Sequence, residues 1–175
     1  MKFDESTYEG LVVIGHHRAK GIWAAQTQIL GSRITRTAGR HMNTTADSLL
    51  VLALNAGLQA INGKQVDTIS ARHQGRRPRL QVICSQPTFL DALQNQIAGR
   101  TDYEPLHIHR WLTGPLVKQL TRFDLDYHTE PDCYTITNLI RWGEVNVMDG
   151  EAPFVPTVLS VVGKNHQNTG RNVSW

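Results

Sequence analysis

Asp47 stands three positions after Thr44, a lone carboxylate in the polar turn that precedes a long apolar pattern. A carboxylate placed there does one of two jobs. It completes a capping box with Thr44 as N-cap, favoured by the positive end of the helix dipole, or it offers oxygen to a hard cation such as Mg2+. Hydrolysis of a phosphodiester by paired ions needs several carboxylates converging on two metals about 3.5 to 4 Å apart, and one Asp holds no such pair. Capping is therefore the stronger reading, and Asp67 or Asp91 is the partner that a metal reading would have to recruit.

Cationic side chains form the second chemical feature. Arg72, Arg76, Arg77 and Arg79 fall within eight residues that contain no acid. Each guanidinium is a planar fork suited to phosphate, so the loop is a candidate nucleic-acid grip; a solvated loop is the plain alternative. Arg33, Arg36 and Arg40 alternate with Ile34, Thr35 and Thr37, and Lys164, His166 and Arg171 gather near the C-terminus. The eight histidines do not build a metal site. His16 and His17 point to opposite faces of a strand. His107-x-His109 shares a side only if extended, and a helical metal pair needs i, i+4 spacing. No bound metal or cofactor is expected, and no G-x-S-x-G or phosphate-loop pattern is present. Trp111 and Trp142 are expected to be core anchors; Tyr127 and Trp175 complete the aromatic set of the second half.

The elements that must position these groups follow from periodicity. Alternation with β-branched residues predicts strands at 11–17, 22–30 and 32–38, joined by turns at 18–21 and 31. Residues 45–61 place Ala46, Leu49, Leu50, Ala53, Leu54, Gly57, Leu58 and Ile61 on one helical face, and Asn62-Gly63 ends that helix. Gly57 costs a helix about 1 kcal/mol against Ala, which predicts close packing of that turn on a sheet. A short buried strand at 80–84 and a helix at 87–98, opened by Pro87, come after the arginine loop. Residues 106–123 and 134–145 are helical in pattern, with Gly114-Pro115 kinking or splitting the first, and 157–162 is a last strand.

At 40% hydrophobic and 19% charged, the composition is that of one ordinary globular domain spanning 1–175. No apolar run approaches the roughly 20 residues of a membrane span, and the acidic start MKFDESTYEG is unlike a secretory signal. A cytoplasmic protein is expected, with both cysteines reduced and Cys84 buried. The net charge of +3 is a mild basic excess.

The order β-β-β-α-β-α, with TRTAGRHMNTTADSLLVLALNAGLQAI at 35–61, resembles ribonuclease H. In that family an edge strand runs into a Thr/Asn-rich turn, and a long helix opens with a catalytic Glu; Asp47 falls at that position. LVVIGHHRAKGIWAAQTQI at 11–29 resembles the first hairpin, with His16 or His17 in place of the first catalytic Asp. RLQVICSQPTFLDAL at 79–93 resembles the fourth strand and next helix, with Pro87 in place of a third carboxylate. The family's last strand leads into K-G-H, Asn six residues on, and a helix with the final Asp. Lys164-Asn165-His166 and Asn172 keep that spacing, and the Asp would fall one residue past Trp175.

The resemblance implies an α/β fold: a ribonuclease H-like mixed sheet, a three-stranded antiparallel meander plus further strands, with helices on its faces. It also implies a catalytically degenerate member without its metals. The expected activity is binding of RNA or an RNA–DNA hybrid through Arg72, Arg76, Arg77, Arg79, Lys164, His166 and Arg171. The alternatives are a protein-interaction adaptor, of the kind a phage or mobile element carries, and an active metal-dependent nuclease.

Overall fold

The computed structural model describes residues 5, 7–102, 105–129 and 134–147, and the backbone of 157–162. Six strands form one mixed sheet in the order β5-β4-β1-β2-β3-β6. The first three are the expected meander: β1 (Gly10–His17), β2 (Ile22–Ile29) and β3 (Ile34–Arg40), all antiparallel. A single 3-10 turn, Arg18–Lys20, makes the first corner, and Gly21 closes it at φ 64°. A Cβ on Gly21 would stand 2.6 Å from the carbonyl oxygen of His41, so only glycine serves there.

Strand β4 (Arg79–Cys84) lies parallel to β1, and β5 (Asp124–Thr129) lies parallel to β4. On the other side, β6 (Thr157–Val162) runs antiparallel to β3. The expectation that β3 is an edge is therefore corrected: its outer backbone groups are paired, and β5 and β6 are the edges.

Alternation along the strands divides the core. Val12, Ile14, Trp23, Ala25, Leu80, Val82 and Cys84 face α1 (Ala46–Gln59), α3 (Pro87–Ile97) and α4 (Arg110–Leu120). Leu11, Val13, Ile22, Ala24, Ile34, Ala38 and Ile83 face α5 (Tyr134–Val147), which contributes Ile136, Leu139 and Trp142. Helix α1 sits close to the sheet, because Gly57 lets it: a Cβ there would be 2.8 Å from Val12 Cγ1. Thr27, buried in β2, donates its hydroxyl to the Gly57 carbonyl at 2.7 Å and ties the helix down at that turn.

Several expected boundaries move. Asn62 does not end a helical segment but begins one: it is the N-cap of α2 (Gly63–Arg72), in a capping box with Gln65. This helix buries only Ile69, so its apolar pattern is too sparse to read. Helix α4 runs unbroken through Pro115 rather than splitting, at the loss of one backbone hydrogen bond. Leu112 and Leu116 hold it to the core, and residues 105–109 before it are not helical.

Two glycines test this packing in opposite directions. Gly57→Val is expected to cost about 1 to 3 kcal/mol by overpacking against Val12. Gly114→Ala, where a Cβ meets nothing within 4 Å, is expected to be neutral or to stabilise by up to about 1 kcal/mol. Urea-unfolding midpoints check both; a tolerated Gly57→Val would refute the close approach of α1.

Candidate functional site

The carboxyl ends of β1 and β4 and the first turn of α1 meet at one end of the sheet. His16 continues the face of β1 that carries Val12 and Ile14 towards α1, and Asp47 is near enough to act on its charge. Burial, with His17 and Arg18 beside it, holds His16 below the ordinary imidazole value of 6.5, and Asp47 opposes the shift. Its Nδ1 is shut away from solvent and has no hydrogen-bond partner among the described residues. His17 looks the other way, 3.7 Å from Glu144 of α5, so the two imidazoles are on opposite faces as expected. Of the two, His16 is the one that shares a place with Asp47.

Asp47 already has a role. Its Oδ2 accepts the backbone N–H of His107 at 3.0 Å. The N-cap is Thr45, not Thr44, and its side chain accepts the N–H of Ser48 at 3.1 Å. The cap is displaced by one residue because the Thr44 hydroxyl turns instead to His109, 2.9 Å from Nε2. Thr45 also donates to the His107 carbonyl, and Ser48 Oγ accepts the N–H of His109 at 3.2 Å. The first turn of α1 thus grips residues 107–109 from both sides of their backbone.

The end of β4 supplies no carboxylate: it runs through Cys84, Ser85 and Gln86 to Pro87, the first residue of α3. Burial pushes the Cys84 thiol up to about 11, so it is inert at neutral pH. The family resemblance places its last strand at 157–162, ahead of Lys164 and His166. The strand that lies parallel to β4 and precedes the last helix is β5, not 157–162. Val162, the last residue of β6, pairs with Ile34 at the opposite end of the sheet. Lys164, His166, Arg171, Asn172 and Trp175 lie outside the described residues.

Mg2+ asks for oxygen donors converging on one point. Here the described residues at this end of the sheet offer the imidazole of His16, the Asp47 carboxylate already hydrogen-bonded to backbone, and the uncharged run from Cys84 to Pro87. This donor set does not fit a pair of Mg2+ ions. Among the described residues no three His, Cys, Asp or Glu side chains group as a metal site. Asp91 does line a cleft of about 350 Å³ with Asp47 and His107, whereas Asp67 sits exposed on α2, beyond the far end of α1.

The arginine loop lies elsewhere. Arg79 opens β4 at the level of Glu9, seven residues along β1 from His16, which is roughly 23 Å at strand rise. Arg76 is 2.6 Å from Glu9 and Arg79 is 2.9 Å from Asp126, so both cations are already neutralised. Arg72 and Arg77 are exposed and make no ion pair among the described residues. In β3, Arg36 is not part of a basic face: it bonds Gln26 at 2.8 Å, lies over the Trp142 ring, and burial lowers it to about 10.

Of the aromatics, Trp142 is a core anchor, 1% exposed, but Trp111 is 49% exposed and corrects the expectation that it is buried. Burial pushes the Tyr127 hydroxyl up to about 12 and removes it from any surface platform. Sequence reading missed that His41, His109 and Trp111 assemble. The rings of His41 and His109 are 5.4 Å apart at 18°, and those of His109 and Trp111 are 6.2 Å apart at 15°. Nothing in the spacing of 41, 109 and 111 signals this, since it depends on the grip of α1 on residues 107–109.

No protein-family model matches the sequence, and no curated protein matches it. Among solved structures, the chain is similar to the N-terminal RNase H domain of a Mycobacterium tuberculosis protein, solved as a fusion with maltose-binding protein. Identity is 15%, over 80% of this chain and 97% of that one, with a TM-score of 0.42. It is also similar to LC9-RNase H1, a type 1 RNase H with the type 2 active-site motif. There identity is 10%, over 94% of this chain and 82% of that one, with a TM-score of 0.47.

His16 gives a pH test of the local geometry. Its folded-state value lies below 6.5, so the unfolded chain takes up the proton first as pH falls. The stability that a neutral His16 contributes is complete above about 6.5 and is lost as the pH drops through that value towards the folded one. Thermal unfolding between pH 7.5 and 5 should therefore fall less steeply in His16→Gln than in the parent. Equal slopes would mean that His16 is not held neutral. By strand order, strand direction and the placement of its helices, the chain has an α/β fold, a mixed sheet with helices on both faces, which is the architecture that the resemblance to ribonuclease H implied.

Proposed function

We propose that this chain is a non-catalytic ribonuclease H-like protein that works by binding nucleic acid, RNA or an RNA–DNA hybrid. The observation that carries the reading is the state of Asp47. Its carboxylate holds the His107 N–H, and its neighbour on β1 is the imidazole of His16 rather than a second acid. The chain is mildly basic, with a net charge of +3, which supports a polyanionic ligand. Arg72 and Arg77 supply exposed guanidinium groups for backbone phosphates, while Arg76 and Arg79 are occupied by Glu9 and Asp126.

A protein adaptor would need a contiguous apolar patch. Of the exposed large apolar side chains, Trp111 and Val117 share α4 and Tyr134 and Val145 share α5, while Leu30, Met42 and Ile97 stand on other segments, and a protein partner is the second reading. No helix among the described residues is long and apolar enough to cross a membrane.

The test is a native-gel titration against labelled RNA–DNA hybrid, duplex DNA and single-stranded RNA, in Mg2+ and in chelator. The expected result is a shift that is indifferent to the metal and unaccompanied by cleavage. Arg72→Ala with Arg77→Ala should lower the salt slope by roughly 0.7 to 0.9 for each phosphate that the pair neutralises in the parent. Cleavage that requires Mg2+ and disappears in Asp47→Asn would establish the nuclease instead. No shift at moderate salt would transfer the proposal to a protein partner.

A further inference from the structure

We infer that the loop between α2 and β4 holds an oxyanion site for a phosphate group, and that Glu9 fills this site from within the chain. The inference rests on the nucleic-acid reading above only for the source of the phosphate. Three groups of the loop converge on the Glu9 carboxylate. Arg76 Nη2 donates to Oε1 at 2.6 Å, His73 Nε2 stands 3.5 Å from the same oxygen, and the Arg79 N–H donates to Oε2 at 2.5 Å. A guanidinium, an imidazole and a backbone N–H around one anion are a donor set equally suited to phosphate oxygens.

The site is built by the backbone on both sides. Glu9 is fixed by the sheet: its N–H goes to the Arg79 carbonyl at 2.8 Å, and its carbonyl takes the Leu30 N–H at 2.9 Å. The loop turns through Gln74 and Gly75, at φ 57° and 81°. Gly75 donates its N–H to the Ser70 carbonyl at 2.8 Å, and Arg76 donates its N–H to the His73 carbonyl at 3.1 Å. These bonds bring His73 and Arg76 to one anion without help from the carboxylate. The Glu9 side chain is 13% exposed, whereas those of His73 and Arg76 are 42% and 40% exposed, so a dissolved anion reaches the donors without the loop unfolding. Glu9 brings one negative charge to a loop that also carries Arg72 and Arg77, which make no ion pair among the described residues. The attraction for a second anion therefore persists, but any phosphate at Arg76 must first displace a competitor that is tethered and always present. Glu9 thus sets how strongly the loop takes a phosphate.

The test empties the site and offers it inorganic phosphate. Titrated at constant ionic strength against chloride, phosphate should raise the melting temperature of Glu9→Ala saturably, because an anion bound only by the folded state stabilises it. The parent should show a smaller rise, and Glu9→Ala with Arg76→Ala none. Glu9→Gln, which keeps the length of the side chain and removes its charge, serves if Glu9→Ala fails to fold, and should follow the same order. The second arm titrates single-stranded RNA and RNA–DNA hybrid. Glu9→Ala should bind them more tightly than the parent, with a salt slope steeper by roughly 0.7 to 0.9 for the one phosphate gained, and Arg76→Ala should abolish that gain. If neither Glu9 variant is stabilised by phosphate, the oxyanion site is wrong, whatever the RNA arm shows. If phosphate stabilises Glu9→Ala and neither nucleic acid binds, the site stands and the nucleic-acid reading is wrong.

Discussion

Hydrogen bonds from the first turn of α1 to the backbone of residues 107–109 organise the end of the sheet where His16 and Asp47 meet. Asp47 takes the His107 N–H, Thr45 gives its hydroxyl to the His107 carbonyl, and Ser48 takes the N–H of His109. The grip fixes where α4 begins, since His109 is its N-cap residue, and it brings His109 against His41 and Trp111. It also decides what Asp47 does. Its Oδ2 accepts a backbone N–H, and it acts on His16 of β1, an imidazole that burial holds below its ordinary value. Asp47 is thus a bracket for the segment that leads into α4.

The close approach of α1 to the sheet makes that bracket possible. Gly57 and Thr27 set the helix at a fixed height over β1 and β2, with Leu49, Leu50, Leu54 and Leu58 fully buried beneath it. A helix held rigidly along its length presents its first turn at a defined place, so Thr45, Asp47 and Ser48 reach one extended segment together. The two chemical features of the chain end up far apart. The imidazole and indole stack belongs to the carboxyl end of β1, and the arginine loop to its start, roughly 23 Å away at strand rise.

Much of this was legible in the sequence. The meander, α1, β4 and α3 were readable because their apolar residues recur at a period of two or of 3.6, and Gly57 inside α1 announced a close contact that Val12 and Thr27 provide. Helix α2 was hidden because only Ile69 is buried, and β5, DLDYHT, because an edge strand with partly buried Leu125 and Tyr127 reads as a polar connection. Thr45 replaced Thr44 as the cap because two adjacent threonines are equivalent in sequence, and only the position of His109 separates them. Lys164 to Asn172 lie outside the described residues, and the strand before them, 157–162, pairs antiparallel with β3 rather than beside β4, which a short spacing does not report. The ring stack and the pairing of Arg76 with Glu9 depend on residues 67 or 68 positions apart, so no local pattern reports them.

The claim on which the account turns is that Asp47 serves the backbone and not an ion. It is tested most directly by titrating Mg2+ into the isotopically labelled protein and following the amide resonances of residues 16, 47, 48 and 107. The account predicts no saturable shift of these resonances at millimolar Mg2+, and an unchanged, hydrogen-bonded His107 amide throughout. A saturable change centred on Asp47 that vanishes in Asp47→Asn would contradict it, and would return this end of the sheet to metal chemistry.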